Sequence, residues 1–175
     1  VTTSVHTDRV RPEWIDYNGH LSEPYYVLVF GDATTALMDR AGLDEHYRST
    51  TGCSLYTVEA HVRYLREVGP DAGLEVRTRV LGRDAKRLRL WHELRVTTGS
   101  SDTGSSDTDG GDTGGRLVAT EELMCLHVGP EGARPFPDAV AAALDRFADP
   151  AAPEPEQAGR SIAPVGDGVV RRPPN

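Results

Sequence analysis

Cysteine is scarce in this chain of 175 residues, and aromatic side chains are few. The two cysteines, Cys53 and Cys125, lie in separate apolar or β-like runs with no CxxC spacing, which argues against a disulfide framework and a zinc site. Both read as buried free thiols. No apolar run approaches the ~20 residues of a membrane-spanning helix. The first ten residues, VTTSVHTDRV, lack the apolar centre of a signal peptide. The expectation is a cytoplasmic protein with no membrane partner. Lys and Arg number 19 against 27 Asp and Glu, a formal net charge of −8, so nucleic acid is not the expected partner. A local arginine group could still meet a small phosphorylated ligand. With 38% hydrophobic residues the chain has enough apolar surface for one globular core. No resident cofactor and no metal site are indicated.

What is present is strongly patterned. Residues 2–11 alternate loosely and suit a first strand, which Pro12 ends. From Pro24 the period becomes helical: Val27, Phe30, Thr34, Leu37, Met38 and Ala41 recur at three and four, with Gly42 as a stop. Ser22 suits the N-cap and Pro24 the first turn, where its missing N–H costs nothing. The helix is apolar over more than one face, so other structure should wrap it. A short polar connection follows. The run GCSLYTVEAHVRYLREVGPDAG then reads as a long strand, with Tyr56, Val58, Ala60, Val62 and Tyr64 on one face and Thr57, Glu59, His61 and Arg63 on the other. Alternating runs at Leu74–Val80, Leu88–Val96 and Arg116–Val128, separated by turn residues, add three more strands. A Gly/Ser/Thr/Asp-rich stretch at about 98–115 has nothing to bury and reads as a flexible surface insertion. A short helix at about Phe136–Phe147 closes the domain, 1–148, and residues 149–175 read as a disordered or extended tail. The expected class is α+β: an antiparallel sheet, including a four-strand meander, wrapped around one long apolar helix.

Such a wrapped helix opens only at its N-terminus, where unpaired N–H groups and the positive end of the dipole face solvent or ligand. The polar cluster Asp16, Tyr17, Asn18, Gly19, His20 stands at that mouth. A carboxylate there can reach a carbonyl whose oxygen points at the helix N–H groups, although Asp-x-Asn-Gly is also ordinary turn chemistry. Gly19 suits an unusual backbone angle or a close approach by substrate. Asn18 can orient water or cap the helix, and His20 can serve as acid/base or as a structural hydrogen bonder. Glu59 and His61, two apart on one strand, share a face, which fits a pocket, an interface or an exposed sheet surface.

The DYNGH element followed by a Tyr-rich helix resembles the D-x-x-G-H signature of the 4-hydroxybenzoyl-CoA-thioesterase-like group of hotdog-fold proteins, with matching element order from about residue 5 to 147. More narrowly, WIDYNGHL, DATTALMDRAGLD, SLYTVEAHVRYLREV and TRVLGRDAKRL are similar to the betainyl-CoA thioesterases of carnitine breakdown. One departure stands out: Ser22-Glu23-Pro24 replaces the Asn-Asn or Asn-Asp that many relatives carry after GH, so no role of those amides carries over. The resemblance implies hydrolysis of an acyl-CoA, with Asp16 as the carboxylate that attacks the thioester or activates water, and Asn18 and His20 beside it. It also implies at least a pair of copies, a homodimer or a dimer of dimers. A trimethylammonium group has no hydrogen-bonding capacity and is held by ring faces with an acid nearby. Trp14, Tyr17, Tyr25, Tyr26 and Tyr56 are the candidate rings and Glu59 the candidate acid, with Gly19 and His61 also at the substrate. Arg63, Arg66, Lys86, Arg87 and Arg89 are candidates for the CoA phosphates, though alternating charges also mark a solvated strand face. Alternatives left open are a thioesterase for another short or aromatic acyl group, and a non-catalytic binder of CoA esters.

Overall fold

A computed structural model describes residues 2–98 and 115–162; the low-complexity stretch and the end of the tail lie outside the described residues. Six strands and three α-helices follow in the order β1 (Ser4–Arg9), α1 (Glu23–Arg40), α2 (Glu45–Thr51), β2 (Ser54–Tyr64), β3 (Gly73–Arg83), β4 (Arg87–Thr98), β5 (Arg116–Gly129), β6 (Gly132–Ala133) and α3 (Asp138–Asp145). A 3-10 turn, Pro12–Trp14, precedes α1. The long helix begins where its sequence signals place it, with Ser22 at the N-cap and Pro24 in the first turn. Val29, Phe30, Ala33 and Leu37 are fully buried between α1 and the sheet. Burying the larger of these stabilises the fold by roughly 1.5–3 kcal/mol each.

The sheet is antiparallel with strand order β1-β3-β4-β5-β2, and β6 pairs with the end of β5. Only β3, β4 and β5 form a meander. The expected fourth member, β2, pairs with β5 and lies at the opposite side of the sheet from β1. Residues 65–72 make this possible by crossing the end of the sheet. On the way Leu65 and Arg66 N–H donate to Val118 O, and Val68 O accepts from Leu21 N–H at 2.8 Å. That crossing brings the sheet end over the start of α1.

Two further expectations are corrected. The connection after α1 is not merely polar coil but contains α2, whose N-cap Asp44 accepts from Tyr47 N–H at 2.8 Å and whose C-cap Gly52 has φ +67°. Caps mark both ends of this short helix, which has no fully buried residue to leave a periodic signal and touches the core through Tyr47. Asp44→Ala should therefore lower stability by about 1 kcal/mol. A urea midpoint that falls with the m-value unchanged is the expected reading.

The second correction is the face assignment of β2. Its register with β5 shifts between Thr57 and Glu59, so Val58 is an extra residue. A bulge reverses the alternation beyond it. Ala60, Val62 and Tyr64 therefore share the helix-facing side with Leu55 and Thr57, whereas Tyr56 joins Glu59, His61 and Arg63 on the outer side. Residues 149–162, beyond α3, run over the outer side of the sheet, where Pro153 O accepts from Arg79 and the Glu122 carboxylate accepts from Gly159 N–H at 2.6 Å.

Candidate active site

Chain geometry between the 3-10 turn and α1 is set by a tight turn. Gly19 N–H donates to Asp16 O at 3.0 Å, Asp16 N–H to His20 O at 2.9 Å, and Ile15 bridges Leu21. Gly19 adopts φ +84° with open space around the position of a Cβ, so the turn needs glycine for its backbone angle rather than for room. The Asp16 carboxylate is held from within this turn: Oδ1 accepts from Asn18 N–H at 2.8 Å and from His20 N–H at 3.4 Å, and Oδ2 lies 3.4 Å from the Asn18 amide nitrogen. Partial desolvation pushes its pKa up, but these donors and the neighbouring His20 outweigh it and hold the carboxyl below the usual range.

Asp16, Asn18 and His20 line one side of a cavity of about 590 Å³. The wall opposite is built by Tyr26 of α1 and by Tyr64, Arg66 and Glu67 of β2 and the crossing that follows it. His20 Nε2 sits 3.3 Å from Glu67, which ties the turn to the crossing. The rings of Tyr26 and Tyr64 meet edge to face with centroids 5.1 Å apart. Burial, then Tyr64 and Glu67, push the Tyr26 phenol up to about 12. At the helix tip Pro24 has no N–H and Tyr25 N–H is bonded to Ser22 O at 3.1 Å, which leaves Glu23 N–H as the donor there. Ser22 contributes no side-chain cap.

The other candidate residues divide by location. Trp14 is buried and stacks on Tyr25 at 5.3 Å, with Arg11 above its ring; both rings pack against the core and neither lines the cavity. Tyr17 is 97% exposed at the turn. Glu59, His61 and Arg89 meet elsewhere, in a separate depression of about 400 Å³ on the outer face of the sheet. There Arg89 is paired with Glu122 at 2.6 Å and with Glu154 of the tail segment, so its charge is already satisfied. Arg63 lies on the same outer face with its Nη1 buried and unpartnered, and Arg66 reaches the cavity itself. Lys86 and Arg87 occupy the β3–β4 turn, where Arg87 pairs with Asp84 at 2.6 Å. Arg87 pairs with Leu126, whereas Leu94 pairs with Ala119, the residue opposite Tyr64. Seven strand residues separate that turn from the cavity, about 24 Å. Among the described residues one group, His6, Asp8 and Asp32, brings three possible metal-ligand atoms within 4.8 Å of one another, and it shares no residue with the cavity.

Sequence reasoning missed Tyr64 as a cavity residue and missed Glu121 altogether. Glu121 is 3% exposed on the helix-facing side of β5, where burial pushes its carboxyl up to about 8. Its signal was the alternation Glu121, Leu123, Cys125, His127, an acid standing in the buried register.

Residues 10–144 match the model of the Thioesterase-like superfamily. The chain is 43% identical over 157 residues to the betainyl-CoA thioesterase of Pseudomonas aeruginosa, covering 87% of this chain and 89% of that one. It is 42% identical over 164 residues to the L-carnitine dehydrogenase/betainyl-CoA thioesterase of Agrobacterium fabrum, covering 92% of this chain and 30% of that longer protein. Among solved structures, a Staphylococcus aureus protein in complex with CoA superposes with a TM-score of 0.77 at 25% identity, covering 94% of this chain and 96% of that one. With its antiparallel sheet curled about α1, the chain belongs to the Thioesterase-like superfamily, has the hotdog fold, and is a thioester hydrolase.

Proposed function

We propose that the protein hydrolyses betainyl-CoA to betaine and CoA, with Asp16 as the reacting carboxylate. The observation that carries this reading is the placement of an ionised Asp16 and the tip of α1 on one cavity with an aromatic wall, in a chain so similar to a betainyl-CoA thioesterase. The thioester carbonyl oxygen lies toward Glu23 N–H, where the helix dipole favours the charge that develops on it. Asp16 then attacks the carbonyl carbon, forming an acyl–Asp16 anhydride that a water hydrolyses to free betaine and the carboxylate, or it takes the proton of a water that attacks directly. In either route the C–S bond breaks, the thiolate leaves as CoA and is protonated, and one water is consumed per turnover. The His20–Glu67 contact holds the turn that aims Asp16. Thiol release from a panel of CoA esters tests the reading: betainyl-CoA must rank above neutral acyl groups of its size.

The same reading includes a homodimer formed at the free edge of β2. Tyr56, Val58 and Tyr64 along that strand and Val27 and Leu28 on α1 are 44–58% exposed, and among the described residues the outer edge of β2 pairs with no strand. Edges of this kind pair with another chain. A two-fold axis through the middle of β2 runs the two copies antiparallel, so Tyr56 and the Lys86–Arg87 turn of one copy approach the cavity of the other. That arrangement supports Lys86 and Arg87 as contacts for the CoA phosphates across the interface, with Arg66 supplied by the copy that owns the cavity. Light scattering at micromolar concentration should give at least twice the monomer mass; a monomer would count against the interface.

A further inference from the structure

We propose that Glu121 is the counter-charge that selects a quaternary ammonium group on the acyl chain, with Tyr26 and Tyr64 supplying the ring faces. The inference rests on the reading of the neighbouring cavity as the acyl site. Glu121 lies directly across from Val62 on β2 and from His92 on β4. Residues so paired have Cβ atoms about 5 Å apart, and the diagonal neighbour, here Tyr64, is about 7–8 Å away. Tyr64 lines the cavity and feels the Glu121 charge. Tyr26 packs on Tyr64 from α1 and feels the charge of Asp16 from its other side. The two rings touch each other, Tyr26 feels the charge of Asp16 and Tyr64 that of Glu121, while Glu121 itself stands behind the cavity lining.

Glu121 has an unusual deficit. Glu121 is 3% exposed on the inner face and its carboxylate oxygens are not among the fully buried unpartnered atoms, yet no described residue donates a hydrogen bond to it or forms an ion pair with it. The neighbour that might have done so, His92, is fully committed: Nδ1 lies 2.8 Å from Thr78 Oγ1 and Nε2 3.1 Å from Thr34 Oγ1. A buried acid without partners is costly and needs a compensating contact or a proton. A trimethylammonium group suits this position in a way that a lysine or a water does not. It brings a full positive charge and no N–H, and it can rest on ring faces while neutralising an acid at short range. A protonated amine would instead need donors satisfied that the two rings cannot satisfy.

His20 and Glu67 also line the cavity and are common to the native protein and Glu121→Gln, so the contribution of Glu121 is the part of the pH effect that the variant loses. Burial holds His92 near 3, so it is neutral throughout. Tyr26 and Cys125 are pushed up to about 12 and about 11, and burial with Glu23 raises Tyr64 above its ordinary value. None of these changes charge between pH 6 and 8. Glu121 does, because burial pushes it up to about 8. Free enzyme below that value holds the proton, and a cationic substrate must displace it.

The test compares kcat/KM for betainyl-CoA and for 3,3-dimethylbutyryl-CoA, its neutral isostere, so that effects on the reacting carbon divide out. In the native protein the ratio should rise at least tenfold from pH 6 to pH 8. In Glu121→Gln, which mimics the protonated acid in shape and hydrogen bonding, the ratio should fall at least tenfold at pH 8 and lose its pH dependence. A native ratio above one that is flat with pH, or one preserved in Glu121→Gln, overturns the role of Glu121 and leaves the betainyl reading standing. Equal loss on both esters in the variant also overturns it, since that is the mark of a structural role. No preference in the native protein at any pH overturns both readings together.

Discussion

Replacing Asp16 by alanine is expected to lower thioester hydrolysis by at least ~100-fold, the size associated with losing a positioned base or nucleophile. The carboxylate lines the cavity from within the turn at the mouth of α1, and its Oδ1 is already held by the Asn18 and His20 N–H groups. Those bonds orient it without burying it, so its loss removes no core packing. The turn itself is closed by backbone bonds, Gly19 to Asp16 and Asp16 to His20, which alanine retains. Circular dichroism should therefore show an unchanged fold. Asp16→Asn separates the two roles of the side chain, since an amide oxygen can still accept from Asn18 N–H but cannot attack or take a proton. The pH profile provides a second check. A carboxylate held below its usual range is active above that lowered value and is lost only as pH falls through it. The acid limb of kcat/KM should lie below that of an ordinary aspartate. Near-normal turnover by a folded Asp16→Ala protein would remove Asp16 from the mechanism.

The second large effect is discrimination between esters of one shape and different charge. Betainyl-CoA and 3,3-dimethylbutyryl-CoA differ at a single atom, nitrogen for carbon, so pocket shape contributes almost nothing to their separation. A desolvated cation–π contact is worth on the order of 2 kcal/mol, and two rings, or one ring with a nearby carboxylate, correspond to roughly a hundredfold preference in kcat/KM. Tyr26 and Tyr64 are the two rings on the cavity, in edge-to-face contact. Tyr64→Leu keeps an apolar wall and removes the ring, so the preference should shrink while the neutral ester still turns over. Equal kcat/KM for the two esters in the native protein would eliminate the cationic substrate and leave a thioesterase for another acyl group.

By itself the sequence determined the elements that depend on local rules. The helical period from Val27 to Ala41, the Ser22 and Pro24 start, and the alternation in β3, β4 and β5 all obey the geometry of one helix or one strand, which a chain carries wherever it folds. The turn holding Asp16 was legible for the same reason: Asn-Gly chemistry is local, and Gly19 takes the positive φ that it predicts. The helix α2 escaped because caps without a fully buried residue leave no periodic trace. Everything that depended on which strand lies beside which was decided by the tertiary structure. Hydrogen bonding between strands is indifferent to sequence distance, so β2 could join β5 only because residues 65–72 cross the sheet end. One extra residue at Val58 then turned Glu59 and His61 outward and left Tyr64 facing the helix. A single bulge changes side-chain facing by half a turn, and no composition rule records it. Glu121 looked like one of two ordinary strand acids; only the pairing that sets it against Val62 and His92, under α1, makes it a buried acid diagonal to Tyr64.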